Sequence, residues 1–168
     1  MKWLVFSDSH GNIDYMAQAV EKEKPDRVLH LGDMVRDAAK LRERFPSLLM
    51  EQVKGNCDGW SSDEPEEKEV FLGQKRVWML HGHTYQVKYG TGMLISEARA
   101  RGVDVVVFGH THNPLCDWDG LWVMNPGTVS GLPQATYGVI ELVDGKLTCR
   151  VEESKTPNSR GRIKFFGF

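Results

Sequence analysis

The sequence predicts an α/β fold in which two β-sheets pack face to face with helices on the outside, in a single domain. Three observations carry this expectation. Apolar runs and amphipathic stretches alternate as β-α-β-α-β through residues 3–53, the order of a parallel sheet with right-handed crossovers. The second half turns to hairpins, two of them marked by Asp-Gly between apolar runs, at Asp119-Gly120 and Asp144-Gly145. The chain of 168 residues is long enough for one domain with a sizeable core. Two facing sheets would bury both sets of strands.

The elements follow in order. Residues 3–7 read as a buried strand, broken by Gly11 and Asn12. Residues 13–24 have helical spacing through Met16, Ala19 and Val20 and stop at Pro25-Asp26. Arg27–Leu31 is the second strand, Arg36–Phe45 a helix closed by Pro46, and Leu48–Val53 the third strand. Ser61–Lys68 is acidic, contains Pro65 and reads as an exposed loop. Val70–Leu72 and Arg76–Leu80 read as strands joined by Gly73-Gln74-Lys75. Gly90–Arg101 is a helix capped by Gly102, and Val103–Phe108 is the last run of buried-strand type. Leu115–Trp118 with Leu121–Met124, and Tyr137–Val143 with Leu147–Val151, are the two Asp-Gly hairpins. The domain so read spans 1–154. Residues 155–168 are expected to be a C-terminal tail, docked or flexible, that ends Phe165-Phe166-Gly167-Phe168.

Composition narrows the function. Hydrophobic residues make up 40% and charged residues 26%, as in an ordinary soluble protein. A net charge of −2 gives no pull toward nucleic acid or an anionic membrane and argues against a nonspecific nuclease. Three cysteines, Cys57, Cys116 and Cys149, form no CxxC pair, so a reduced, cytoplasmic protein is expected. No apolar run approaches a signal peptide core or a membrane span. Phe165-Phe166 and Trp122 offer a self-contact through which the chain would form a homo-oligomer.

Chemistry-bearing residues gather at the ends of the apolar runs. Five of the six histidines fall in Asp8-Ser9-His10, His81-Gly82-His83 and Gly109-His110-Thr111-His112, while Gly32-Asp33 and Gly55-Asn56-Cys57-Asp58 end two further runs. Imidazoles and carboxylates are first-row transition-metal ligands, and the strands of an α/β sheet deliver loop residues to one edge. Five such motifs at five strand ends are the pattern of a metal centre assembled there. Asp8 and His10 fall on one side of an extended segment and can share an ion; the competing role for Asp8, a helix cap, suits Asn12 better. Asp33 has two oxygens and can bridge two ions, although a lone Gly-Asp is also an ordinary turn. Asn56 offers a neutral carbonyl oxygen. His81 and His83 share a strand face, with His81 read as the ligand and His83 as a nearby helper. Gly109 lets the chain turn sharply, so that His110 and His112 can be split between adjacent ions. His30, inside a strand, reads as a satisfied core residue close to Asp33.

In order and spacing, these five motifs resemble the five blocks of the calcineurin-like metallophosphoesterase superfamily, over residues 8–112. The small size and the Gly-Asn-Cys-Asp variant are similar to its short YfcE-like phosphodiesterase branch. The resemblance implies a four-layer α/β/β/α sandwich and a phosphodiesterase of small phosphodiesters. It implies one metal held by Asp8, His10 and His112, a second by Asn56, His81 and His110, and Asp33 bridging both. Two ions ~3.5–4 Å apart would clamp a phosphate and activate a bridging hydroxide by lowering the water pKa toward ~7. Mn²⁺ is the favoured ion, with Ni²⁺, Fe or Zn²⁺ also suited to mixed nitrogen and oxygen ligands. The catalytic set implied is Asp33, Asn56, Cys57, Asp58 and His83, with substrate contacts from Asn12, Asn56 and His83.

One departure bears on substrate. Many relatives carry His where this chain has Cys57, and that His protonates the leaving oxygen. A thiol is a poorer acid unless its pKa, usually ~8.5, is lowered near the metals, so diesters with good leaving groups are favoured over monoesters. The alternative for Cys57 is a small buried residue. Trp60 would stack on a base or aryl group, or pack. Asn125-Pro126-Gly127-Thr128 and Ser130 form a turn expected close to the site. Two other functions compete. A protein-binding scaffold of the same fold, as in the retromer subunit, is disfavoured because every implied ligand stands. A small nuclease or cyclic-nucleotide phosphodiesterase is disfavoured by the lack of a basic stripe.

Overall fold

A computed structural model of the protein describes residues 1–59 and 62–155. Along the chain run β1 (Lys2–Phe6), α1 (Asp14–Glu23), β2 (Arg27–His30), α2 (Val35–Arg44), β3 (Leu49–Gln52), β4 (Glu67–Leu72), β5 (Lys75–Leu80), α3 (Gly92–Arg101), β6 (Val105–Val107), β7 (Leu115–Trp118), β8 (Trp122–Asn125), β9 (Thr136–Val143) and β10 (Lys146–Glu153). The strands form two five-stranded sheets, ordered β10-β9-β1-β2-β3 and β4-β5-β6-β8-β7. The β-α-β-α-β order yields the expected parallel pairs β1·β2 and β2·β3.

Period-two alternation builds the layers. Trp3 and Val5 of β1 point between the sheets, with Leu29, Leu31 and Val53, against Leu72, Val77, Met79, Val105, Val107 and Met124 of the other sheet. Leu4 and Phe6 point outward onto Met16, Ala17 and Val20 of α1 and Leu41 of α2. Trp78, Leu80 and Val106 likewise pack on Leu94 and Ala98 of α3. The expected single-domain sandwich with helices on both outer faces is the observed one. Among the described residues no helix is long and apolar enough to cross a membrane. The expected tail lies outside the described residues from position 156 on.

Three boundaries differ from the expectation. β4 begins at Glu67, inside the segment read as a loop. It is an edge strand, so it needs neither apolar alternation nor a second partner. Its polar residues pair across to β5 through Glu69 and Arg76, and charged edges discourage further strand pairing. Two 3₁₀ turns, His83–Tyr85 and Val87–Tyr89, precede α3, which starts at Gly92. Leu121 falls in a three-residue hairpin loop, since Trp118 pairs with Trp122. The Asp144-Gly145 turn is as expected, both residues having positive φ between the paired Val143 and Lys146.

Close backbone approach sets the edge where β2 and β3 end. A Cβ on Gly32, at φ +96°, would lie 2.3 Å from the Gly55 nitrogen. Gly32→Ala is therefore expected to cost at least ~3 kcal/mol, as overpacking against rigid backbone adds to left-handed strain. Gly120→Ala, at φ +68° with open space around it, should cost only ~1–2 kcal/mol of strain. Urea unfolding of both variants measures the gap, and equal costs would refute the contact.

Candidate metal centre

The loops after β1, β2, β3, β5 and β6 leave from the same edge, because the first three strands run parallel in one sheet and the last two in the other. Asp8, fully buried, joins the sheets there. Its Oδ2 accepts hydrogen bonds from the Ser7 hydroxyl (2.5 Å) and the His110 N–H (3.1 Å). Its Oδ1 lies 3.1 Å from His112 Nε2, 4.0 Å from His10 Nε2 and 3.9 Å from His81 Nε2.

Two groups of donor atoms result. In one, Asp8 meets His10 and His112, whose Nε2 atoms are 3.4 Å apart. In the other, Asp8 meets Asp33 and His81; His81 Nε2 is 3.4 Å from Asp33 Oδ1 and 3.1 Å from Asn56 Oδ1. Donor atoms about 3–4 Å apart suit ligand bonds of ~2.0–2.2 Å to one ion. His81 Nδ1 donates to the Leu31 carbonyl at 2.8 Å, so Nε2 is the atom left to exchange a proton for a metal. Burial lowers the His81 pKa, but the Asp33 hydrogen bond and the Asp8 charge more than offset it and raise it overall. A field that favours a proton at Nε2 favours a divalent cation as well. The residues fit a metal centre.

The carboxylates differ in character. Burial raises the Asp8 pKa against the pull of His81 and Ser7. Burial would also raise Asp33, but the hydrogen bond and charge of His81, with the Cys57 N–H at 2.9 Å, hold its carboxyl well below the usual carboxylate range. Asp8 is common to both groups, and Asp33, expected to bridge the two ions, belongs to the second. The His110 ring lies against His81, centroids 5.0 Å apart, outside both groups. Burial and the neighbouring His81 push its pKa down to about 4. His83 is half-buried beside both, centroids 5.5 Å from His81 and 6.1 Å from His110, and its buried Nδ1 has no partner among the described residues. Burial and His81 lower its pKa, so it stands as a neutral imidazole.

The surroundings of three expected site residues bear on their roles. Asp58 is not free for proton transfer. Its Oδ1 accepts from the Met34 and Val35 N–H groups and its Oδ2 from those of Asp33 and Gly55, at 2.7–2.9 Å, so it holds the Asp33 loop and the start of α2. Cys57 is exposed rather than a buried filler, and burial of its thiol atom together with the Asp33 hydrogen bond raises its pKa instead of lowering it. Asn12 Oδ1 accepts from Asp14 N–H just before the α1 N-cap Ile13, and its amide donates one N–H to the Ser130 carbonyl. Trp60 lies outside the described residues. The turn after β8 is close to the site as expected: the Asn125 amide donates to Gly109 O and Thr111 Oγ1, and Thr128 Oγ1 donates to Asp8 O.

Five of the seven expected ligands, Asp8, His10, Asp33, His110 and His112, have positive φ, a conformation that costs about 1–2 kcal/mol per non-glycine residue. A buried chain missed by sequence reading holds two of their loops. Gly32 N–H donates to His30 Nδ1, His30 Nε2 faces Ser9 Oγ at 3.2 Å, and the Ser9 hydroxyl and Gly11 N–H both donate to Asp37 Oδ2 at 2.7 Å. A signal for it was present, since Asp37 is a charge on the buried face of α2, beside Ala38 and Leu41.

The sequence matches the calcineurin-like phosphoesterase superfamily domain over residues 1–145. It is 30% identical over 159 residues to the probable metallophosphoesterase YsnB of Bacillus subtilis, covering 89% of each chain. It is 27% identical over 168 residues to the phosphodiesterase YfcE of Escherichia coli, covering 84% of this chain and 88% of the relative. A predicted phosphoesterase from Streptococcus pneumoniae superposes with a TM-score of 0.75 at 25% identity, over 91% of this chain and 89% of that one. Vps29 from Entamoeba histolytica shares the fold alone, with a TM-score of 0.70 at 22% identity over 91% and 99%.

His30 makes stability depend on pH. Burial pushes its pKa down to about 4 against the pull of Asp58, Asp37 and Asp33, with His81 adding to the decrease. The unfolded chain takes up this proton below pH ~6.5 and the folded chain only near 4, so the contribution is complete above ~6.5 and about 3 kcal/mol is lost as pH falls to 4. With chelator present, the wild type should lose about 3 kcal/mol more between pH 7 and 4 than His30→Gln. Parallel urea-derived stability curves for the two would rule this out.

Proposed function

The chain belongs to the calcineurin-like phosphoesterase superfamily, and from that membership we propose a divalent-metal-dependent phosphodiesterase acting on small phosphodiesters. The observation that carries it is the pair of donor groups meeting at the buried Asp8 carboxylate. Asp8, His10 and His112 would hold one ion; Asp33, Asn56 and His81, with His110 alongside, a second. Mn²⁺, which the family resemblance implies, is the first ion to test, and Ni²⁺, Fe and Zn²⁺ also suit the mixed donor set. Bound there, two divalent ions lower the pKa of a water and offset negative charge on the phosphate.

The chain's own residues supply the rest. The four N–H bonds to Asp58 hold Asp33 in place. His83, half-buried beside His81 and His110, is assigned a contact to a phosphate oxygen. At the Asn56-Cys57 end stands a thiol of raised pKa, a weaker acid than imidazole. Leaving groups must therefore depart with little help from a protein proton, which favours diesters of acidic alcohols over monoesters. A scaffold function gives no reason to hold five ligand residues at positive φ. The net charge of −2 favours a small substrate over a nucleic acid polymer. The three free cysteines support a cytoplasmic setting.

Chelator-sensitive cleavage of bis-p-nitrophenyl phosphate with Mn²⁺, faster than cleavage of the monoester, is the expected result; no turnover with any divalent ion would defeat the proposal. Asp33→Ala should lower diester turnover at least ~100-fold and reduce bound metal, and activity left intact would remove Asp33 from the site. Cys57→His should raise phenyl phosphate hydrolysis by ~10²-fold, the usual contribution of a positioned acid. An unchanged monoester rate would separate substrate choice from Cys57.

A further inference from the structure

We propose that the cleft between the Val87–Tyr89 turn and the Asn113–Leu115 segment receives a flat aromatic group on the ester oxygen that the reaction retains. This rests on the phosphodiesterase reading and adds a substrate class to it. The cleft encloses about 530 Å³, within the range of ligand pockets, roughly 300–1,000 Å³. Both of its walls continue ligand loops. On one side Val87 packs on Gly82, between His81 and His83, where an added Cβ would lie 2.9 Å from Val87 Cγ2. On the other side, Thr111 and Asn113 of the wall flank His112.

The lining sets the guest's chemistry. Val87, Pro114 and Leu115 are apolar, Thr91 and Asn113 are neutral polar groups, and Lys88 is the one cation. Apolar walls with a polar edge complement a planar ring, aryl or nucleobase, which is apolar on its faces and polar at its rim. Lys88 puts a positive charge at the cleft's edge. Tyr89 and Met93, 92% and 62% exposed, flank Thr91 in sequence and leave large apolar side chains in water beside the cleft. Cys57 lies on the β3 loop, whereas the cleft lies against the β5 and β6 loops. The leaving group is assigned to the Cys57 side and the retained group to the cleft.

The test uses the full chain. Thr91→Trp puts a large side chain on a cleft residue that is not a ligand. With Mn²⁺ it should raise KM for bis-p-nitrophenyl phosphate ~10-fold or more and leave methyl p-nitrophenyl phosphate, whose retained group is a methyl, within about twofold of wild type. Amide NMR shifts on adding phenyl phosphate or thymidine 5′-phosphate, with Mg²⁺ and again with chelator, give a readout free of turnover. Shifts at Val87, Thr91 and Leu115 that Thr91→Trp removes support the cleft, and the stronger ligand tells aryl from nucleobase. Equal KM changes for both diesters, or no shifts at these amides, overturn it. Should Thr91→Trp fail to fold, Asn113→Ala takes its place with the same two readouts. Absence of diester turnover with every metal defeats the phosphodiesterase reading, and the shifts then decide the cleft by themselves.

Discussion

A carboxylate with no exposure to solvent must be offset by donors close at hand, and Asp8 finds them in both sheets. Ser7 next to it in β1's own loop and the His110 N–H from the loop after β6 bind one oxygen, while His112, His10 and His81 surround the other. Removing any of these leaves a buried charge less compensated, so the arrangement of the loops and the state of Asp8 are one problem with one solution. The edge of the sandwich is closed by this charge as much as by apolar packing, which ends at Phe6, Leu80 and Phe108 just beneath it.

The surrounding polar groups make that solution rigid. Asp58 gathers three N–H groups at the start of α2 and that of Gly55 after β3, Asp37 gathers Ser9 and Gly11, and Asn125 with Thr128 ties in the last loops. Each bond alone is modest, about 1–3 kcal/mol when it goes to a charged group. Together they offset the positive φ of Asp8, His10, Asp33, His110 and His112. Donor atoms that stand in place before an ion arrives need little reorganisation when it binds. The Ser9–His30–Asp37 chain also makes the site's floor sensitive to acid, because a fully buried imidazole cannot charge without breaking it.

Chemical selectivity follows from what stands at each side of this floor. The Asn56-Cys57 side offers a thiol whose pKa burial and Asp33 raise, and the proposed preference for good leaving groups rests on it. His83 stands beside His81 and His110, and the cleft bordered by Lys88 adjoins the loop that carries His112. A substrate with an acidic alcohol on one ester oxygen and a planar group on the other satisfies both sides. Neither side carries a basic stripe, in keeping with a net charge of −2.

Much of this was legible in the sequence. The β-α-β-α-β order, the Asp144-Gly145 turn and the five motifs at strand ends follow from local periodicity and from residue types whose turn and ligand chemistry is intrinsic. Helix and strand boundaries failed where local pattern has no force: polar Glu67–Glu69 became a strand only because β5 offered it a partner. The roles within the site divided along the same line. That Asp8, Asp33 and the histidines gather at one edge is a consequence of parallel strands, which sequence order implies. Which carboxylate is shared, that Asp58 faces four backbone donors, that Asn12 is engaged by Ser130, and that a charge at Asp37 is buried against Ser9 depend on distances between segments far apart in the chain. Those distances were decided by tertiary packing, because hydrogen bonds and burial act through space and leave no period in the sequence.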